Sequence, residues 1–179
     1  MESGALRHKV IIQCPSTSEV GAQGGLVKNY KAYSTERAAV EPLRGNELVA
    51  AQQRYGNVEK KVRMRHVWGL TPDMRFLVPA AKATVGLAIT TTDVTTLEST
   101  DLTTFPPRGK FRILTGAEMM EVTAVATTYL TVTRAVDGTS PTTHSTDDAI
   151  RVMAVNEIVA VLDPDERHRE CEVYVSERA

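Results

Sequence analysis

The sequence predicts a mainly β protein built from two small β modules with one short helix. Three observations carry this. Runs of β-branched and alternating residues recur along the chain, separated by Gly, Pro and Asp turn signals. Only one stretch, Glu47 to Tyr55, shows clear helical spacing. Threonine, whose branched side chain favours a pleated surface, is concentrated in one block: 19 of the chain's 22 threonines lie between Thr84 and Thr146. A composition that shifts and then reverts marks an insertion rather than a tandem domain. Residues 1–78 and 152–179 are therefore expected to fold together around an inserted, Thr-rich β domain at 79–151.

Each element has its own warrant. His8 to Gln13 (HKVIIQ) reads as a strand, and Gly21 to Gly25 (GAQGG) as the turn after it. Lys28 to Val40 pairs back as a second strand, with Tyr30 and Ala32 on one face and Lys31 and Tyr33 on the other. Pro42 ends it. Asn46 can cap the helix, because its side-chain oxygen can accept an orphan backbone N–H. Leu48, Ala51 and Tyr55 share one helix face, and Gly56 closes the last turn.

Glu59 to Val67 is the clearest strand. Val62 and Met64 face one way; Lys61, Arg63 and Arg65 face the other. Thr71-Pro72-Asp73 is a turn, and Arg75 to Val78 starts a further strand. Within the insert, Lys110–Leu114, Met119–Val125 and Tyr129–Arg134 read as successive strands. Pro106-Pro107 excludes a central strand, and Asp137-Gly138 is a tight-turn signature. Ile150–Val155, Glu157–Leu162 and Arg169–Val175 are three more strands, with a turn at Asp163-Pro164-Asp165.

Composition excludes several function classes. The chain has 179 residues and a net charge of −1, so it is no strongly basic nucleic-acid coat. Hydrophobic and charged fractions of 42% and 24% suit a globular fold. An aromatic content of 5% argues against a sugar platform or a base-stacking surface. The stretch from Val78 to Ile89 is broken by Pro79, Lys82 and Gly86, too soon for a membrane span. The opening MESGALRHKV has no apolar signal-peptide region. Cys14 and Cys171 are expected to be half-buried thiols in a reducing compartment.

Catalysis needs an activated group held by partners, and the sequence offers no clear one. His8, His66, His144 and His168 are scattered, without metal-ligand spacing. His144 near Asp147 and Asp148 imitates a base and its orienter, but no nucleophile elbow accompanies it, so a solvated loop residue is expected. Asp163, Asp165 and Glu166 could face a hard cation, yet Pro164, Arg167 and Arg169 favour a charged turn with ion pairs. Gly21 to Gly25 lacks the GK[ST] of a phosphate loop. The expectation is no catalytic residue, no cofactor and no metal.

The basic strand face is more informative. Lys61, Arg63 and Arg65, with Lys60, Arg54 and Arg75, could present positive charge along one edge. Two readings stay open. One is a solvated face paired with Glu157, Glu170 or Glu172 across the strands. The other is a surface that meets DNA or an acidic partner ring.

The flanks resemble the head–tail joining, or head closure (stopper), proteins of tailed bacteriophages. The resemblance rests on Leu6–Gln13 (LRHKVIIQ), Arg37–Gln53 (RAAVEPLRGNELVAAQQ), Val62–Phe76 (VRMRHVWGLTPDMRF) and Asn156–Val173 (NEIVAVLDPDERHRECEV). Their order and spacing, more than any single piece, match the family pattern. The departure is the Thr-rich insert, since members of this kind pass directly from the strand at Arg75–Val78 to the one at Glu157–Val161. The insert resembles a β module of other phage structural proteins. It carries a pattern like I-x-x-G-x-E…V-T-x-V…L-T-V-T-R-G-x-D-G-T-x-x-x-x-H within Phe111–His144. There its role is mostly decoration or interaction.

The resemblance implies a small antiparallel β-barrel with one short helix. It implies a virion protein at the head–tail interface, assembled in the host cytoplasm, and not an enzyme. It implies a homo-oligomeric ring, twelvefold or sixfold, below the portal or adaptor ring, meeting a tail terminator or tail tube protein. Packaged DNA would pass its channel without sequence-specific binding. Arg63, Arg65, Asp165, Arg167 and Arg169 are the expected interface residues. The alternative is a binding module whose Thr-rich insert recognises a glycan or host surface.

Overall fold

The computed structural model describes residues 6–20, 24, 26–107, 109–164 and 168–177. The turn expected at Gly21 to Gly25 lies mostly outside the described residues. Ten strands and one helix follow in the order β1 (His8–Val20), β2 (Leu26–Pro42), α1 (Gly45–Tyr55), β3 (Lys60–Arg65), β4 (Arg75–Thr84), β5 (Thr96–Glu98), β6 (Phe111–Thr115), β7 (Glu118–Val125), β8 (Tyr129–Thr133), β9 (Ala149–Leu162) and β10 (Glu170–Glu177). The chain is mainly β, and it divides into two compact units: residues 1–78 with 155–179, and residues 79–154.

In the first unit the strand order β10-β3-β2-β1-β4-β9 closes on itself, because β9 also pairs with β10. The result is a ring of strands with a single apolar interior. The alternation read from the sequence fills it. Val10 and Ile12 of β1, Val62 and Met64 of β3, Phe76 of β4 and Val173 and Val175 of β10 are all fully buried. The β1–β2 register steps between Ile12↔Ser34 and Gln13↔Ala32, leaving Tyr33 as an extra residue on β2. A bulge of this kind turns side chains away from strict alternation.

Helix α1 lies over a satellite cluster. Leu48, Ala51 and Tyr55 pack with Leu43, Val58, Val159 and Tyr174. The Tyr55 and Tyr174 rings stack with centroids 5.0 Å apart. Gly56 closes the helix at φ 83°, its N–H donating to Gln52 O. The start differs from expectation. The helix begins at Gly45, the N-cap is Arg44, and no side chain caps it, so Asn46 lies inside the first turn.

The second unit has its own core. Strands run in the order β9-β6-β7-β8-β5, with antiparallel pairing throughout. Leu97, Ile113, Met120, Val122, Leu130 and Ile150 are fully buried within it. Asp137 and Gly138 both have positive φ, 55° and 74°, and Thr139 N donates to Val136 O, as a two-residue hairpin turn requires. Strand β5 was not anticipated. The two strands expected at Ile150–Val155 and Glu157–Leu162 are one continuous β9, with Asn156 buried in its middle.

Candidate functional site

Buried charge in residues 79–154 centres on Glu118, the first residue of β7. Gly116, at φ 59°, makes the turn that delivers it. The carboxylate is fully buried. Arg134 donates to both oxygens, Nε to Oε1 at 2.6 Å and Nη2 to Oε2 at 2.7 Å. The N–H groups of Ala135 and Thr142 also donate to it, at 3.2 and 3.0 Å. His144 Nε2 lies 2.9 Å from Oε2. Burial alone would raise the Glu118 carboxyl. The Arg134 guanidinium, the Thr142 N–H and His144 outweigh it and bring the pKa down to about 2.

This corrects the reading of His144. It is buried rather than solvated, and its partner is Glu118 rather than Asp147 or Asp148. Asp148 instead accepts from the backbone N–H of Ser145 at 2.8 Å. The insert's sequence pattern acquires a structural meaning. Glu118, Arg134 and His144 meet in one buried knot. Asp137 holds Arg112 at 3.1 Å, and Thr139 Oγ1 accepts from Met119 N at 3.1 Å. Both Glu118 oxygens are engaged, so the knot clamps the fold and holds no activated group for chemistry.

The basic strand lies in the first unit. Register sets Arg65, Arg63 and Lys61 opposite Glu170, Glu172 and Tyr174 of β10. Arg63 Nε stands 3.1 Å from Glu172 Oε1, off the hydrogen-bonding direction, and its Nη2 is 3.9 Å from Glu170. Lys61 donates to Glu47 of α1 at 2.7 Å, which holds the ammonium above its ordinary pKa. Lys60 pairs with Glu177. Lys60, Lys61 and Arg63 of this face are thus charge-paired, to β10 or to α1. The register sets Glu157, another of the expected partners, opposite Ser176 of β10.

Two arginines depart from the expected edge. Arg75 is buried, donating to Gln13 Oε1 at 2.8 Å with its guanidinium 3.8 Å from the Tyr30 ring centroid. It belongs to the packing of the ring. Arg65 is exposed and makes no ion pair among the described residues, and it borders a surface hollow of ≈ 260 Å³ with Leu6, Thr35, Glu36 and Arg37. Arg169 is exposed as well. Asp165 and Arg167 lie outside the described residues.

Beside Arg65 the chain leaves β3 through His66, Val67 and Trp68. Trp68 is exposed. Its carbonyl accepts from Tyr33 Oη at 2.8 Å, and Gly69 follows at φ 71° with that same hydroxyl 3.2 Å from where a Cβ would stand. Only glycine suits that conformation and that approach. The backbone N–H of His66 donates to Arg169 O at 3.1 Å, so the β3–β10 ladder carries His66 towards His168. Their rings lie 4.8 Å apart, and Asp163 joins them. Sequence spacing treated these histidines as scattered; strand register brings them together.

The cysteines are both free. Cys171 is fully buried rather than half-buried, and burial pushes its thiol up to about 11. Among the described residues no helix is long and apolar enough to cross a membrane.

Residues 1–105 match the sequence profile of the phage head completion protein family. The chain belongs to this family. The match covers the first flank and enters the Thr-rich segment, stopping before residues 155–179 that complete the ring of strands. A comparison with curated proteins finds no match. Membership makes the chain a structural component of the phage virion, with a role in completing the head.

Proposed function

We propose that the chain assembles as a ring beneath the portal or adaptor of a DNA-filled head, retains the genome, and offers the tail its docking surface. Membership of the head completion family carries this reading. The physical chemistry of the first unit supports it. A chain of net charge −1 leaves a channel little grip on phosphates. Contacts between copies in a ring would add burial beyond the subunit's own core.

The interface candidates sort by how they are engaged. Arg63 is already held by Glu172 and Glu170, and so contributes to the subunit's own strand pairing. Arg65 and Arg169 are exposed beside Trp68, which is 70% exposed. A large aromatic near arginines that make no ion pair among the described residues is the composition of an interface anchor. Asp165 and Arg167 remain candidates from the sequence. In this reading the protein performs no reaction. It works by closing, holding and docking, with charge setting register between rings more than raw affinity.

The test uses DNA-filled heads isolated from a lysate lacking the gene. Purified wild-type chain is expected to bind them and protect their DNA from nuclease. The Arg65→Glu, Arg169→Glu double variant is expected to bind at least tenfold more weakly at physiological salt. Unchanged binding removes these two residues from the interface. Unprotected DNA with bound wild-type chain removes the closure role.

A further inference from the structure

The cluster at the end of β3 holds polar atoms that have no partner among the described residues. Both ring nitrogens of His66 are shielded from solvent with no hydrogen-bond partner among the described residues, and so is Asp163 Oδ1. A buried imidazole always carries at least one N–H that needs an acceptor. Buried polar atoms in this state call for an explanation, and a bound ion is one of the few available.

The surroundings fit an ion. One ligand atom from each of His66, Asp163 and His168 lies within 4.8 Å of the others. Two anchors fix the frame. The His66 backbone is tied to Arg169 O at 3.1 Å, and Asp163 Oδ2 accepts both the backbone N–H of His168 at 3.0 Å and a contact from its Nδ1 at 2.9 Å. Ligand bonds of about 2.0–2.1 Å in a tetrahedron put ligand atoms about 3.4 Å apart. Trp68 stands against both imidazoles, its ring centroid 4.8 Å from each.

From this arrangement we propose that His66, Asp163 and His168 form a binding site for a late first-row divalent cation, with Zn²⁺ as its representative. Two imidazoles and one carboxylate suit that class, whereas Ca²⁺ and Mg²⁺ take oxygen ligands. His168 Nδ1 and Asp163 Oδ2, already 2.9 Å apart, are the two donors nearest to each other. Three protein ligands leave a fourth position for water or a further donor. The ion would staple Asp163 and His168 to the end of β3, next to Arg65 and Arg169. It would stiffen the surface that the proposed function assigns to docking, although the site itself does not depend on that assignment.

Trp68 is the chain's only tryptophan, so its fluorescence reports on this site. The full-length protein, stripped with a chelator, is titrated with Ni²⁺ to follow quenching and with Zn²⁺ by calorimetry. The expected result is quenching complete near one equivalent, a single Zn²⁺ per chain, and a rise in melting temperature that a chelator reverses. His168→Asn, which tolerates the left-handed backbone at φ 53°, and Asp163→Asn should each weaken binding at least tenfold while melting normally without metal. Equal binding by wild type and both variants, or no saturable binding at all, overturns the proposal.

Discussion

The two units handle charge in opposite ways. In residues 79–154, Glu118 is fully buried and both its oxygens are engaged by Arg134, backbone N–H groups and His144. In the first unit, Arg75 apart, charge lies mostly on strand faces, as in the Arg63–Glu172 and Lys61–Glu47 pairs, and shielded atoms of His66 and Asp163 have no partner among the described residues. The difference separates scaffold from surface. A buried charge with every partner present fixes one conformation and reacts with nothing. The exposed arginines and the shielded His66 nitrogens are the groups on which the proposed docking surface and cation site rest.

The sharpest way to break this contrast is to unbalance the Glu118 knot. Removing one member of a buried ion pair leaves the other uncompensated, at about 3–5 kcal/mol. Glu118→Gln should therefore cost about 4 kcal/mol in denaturant unfolding. Amide exchange should rise across β7 and β8 and stay unchanged across β1 and β2. The first unit has its counterpart in an apolar side chain. Met64→Ala, within the ring's interior, should cost about 3 kcal/mol through the cavity it leaves. Equal exchange changes in both units for either variant would show that the two cores are not separate.

Acid titration sharpens the comparison. The folded Glu118 carboxyl, at about 2, lies below its ordinary value, so the folded state binds its proton less readily than the unfolded chain. Its contribution is complete above about pH 4.5 and is lost as pH falls towards 2, amounting to about 3 kcal/mol. The unfolding free energy of wild type should show that loss, and Glu118→Gln should lack it. Smaller still is the strand face. Arg63→Gln should change stability by about 0.5 kcal/mol, since part-exposed pairs contribute little. Smallest is the thiol. Cys171, buried and with its pKa near 11, should resist alkylation at pH 8 in the folded protein.

Local signals were legible and long-range ones were not. The strands at β6, β7 and β8, the Gly56 helix end and the Asp137-Gly138 turn each depend on a few adjacent residues, and the sequence showed them. The inward set of Val62 and Met64 followed from simple alternation. Strand β5 spans only Thr96–Glu98, too short for a periodic signal. Asn156 looked like a break between strands because a polar residue is rarely central to one, yet it is buried within β9. His144 was read beside its sequence neighbours, while its partner Glu118 arrives from another strand. The motif linking Glu, Arg and His in the insert was visible and held the clue. For His66 and His168 no local signal existed, because only the β3–β10 register joins them.

The most direct test of a head-completion role is deletion of the gene from the phage that encodes the chain, with electron microscopy of the lysate. The expected picture is filled or leaking heads accumulating beside complete free tails, restored to joined particles by wild-type chain supplied in trans. Fully assembled, infectious particles in the absence of the gene would contradict it.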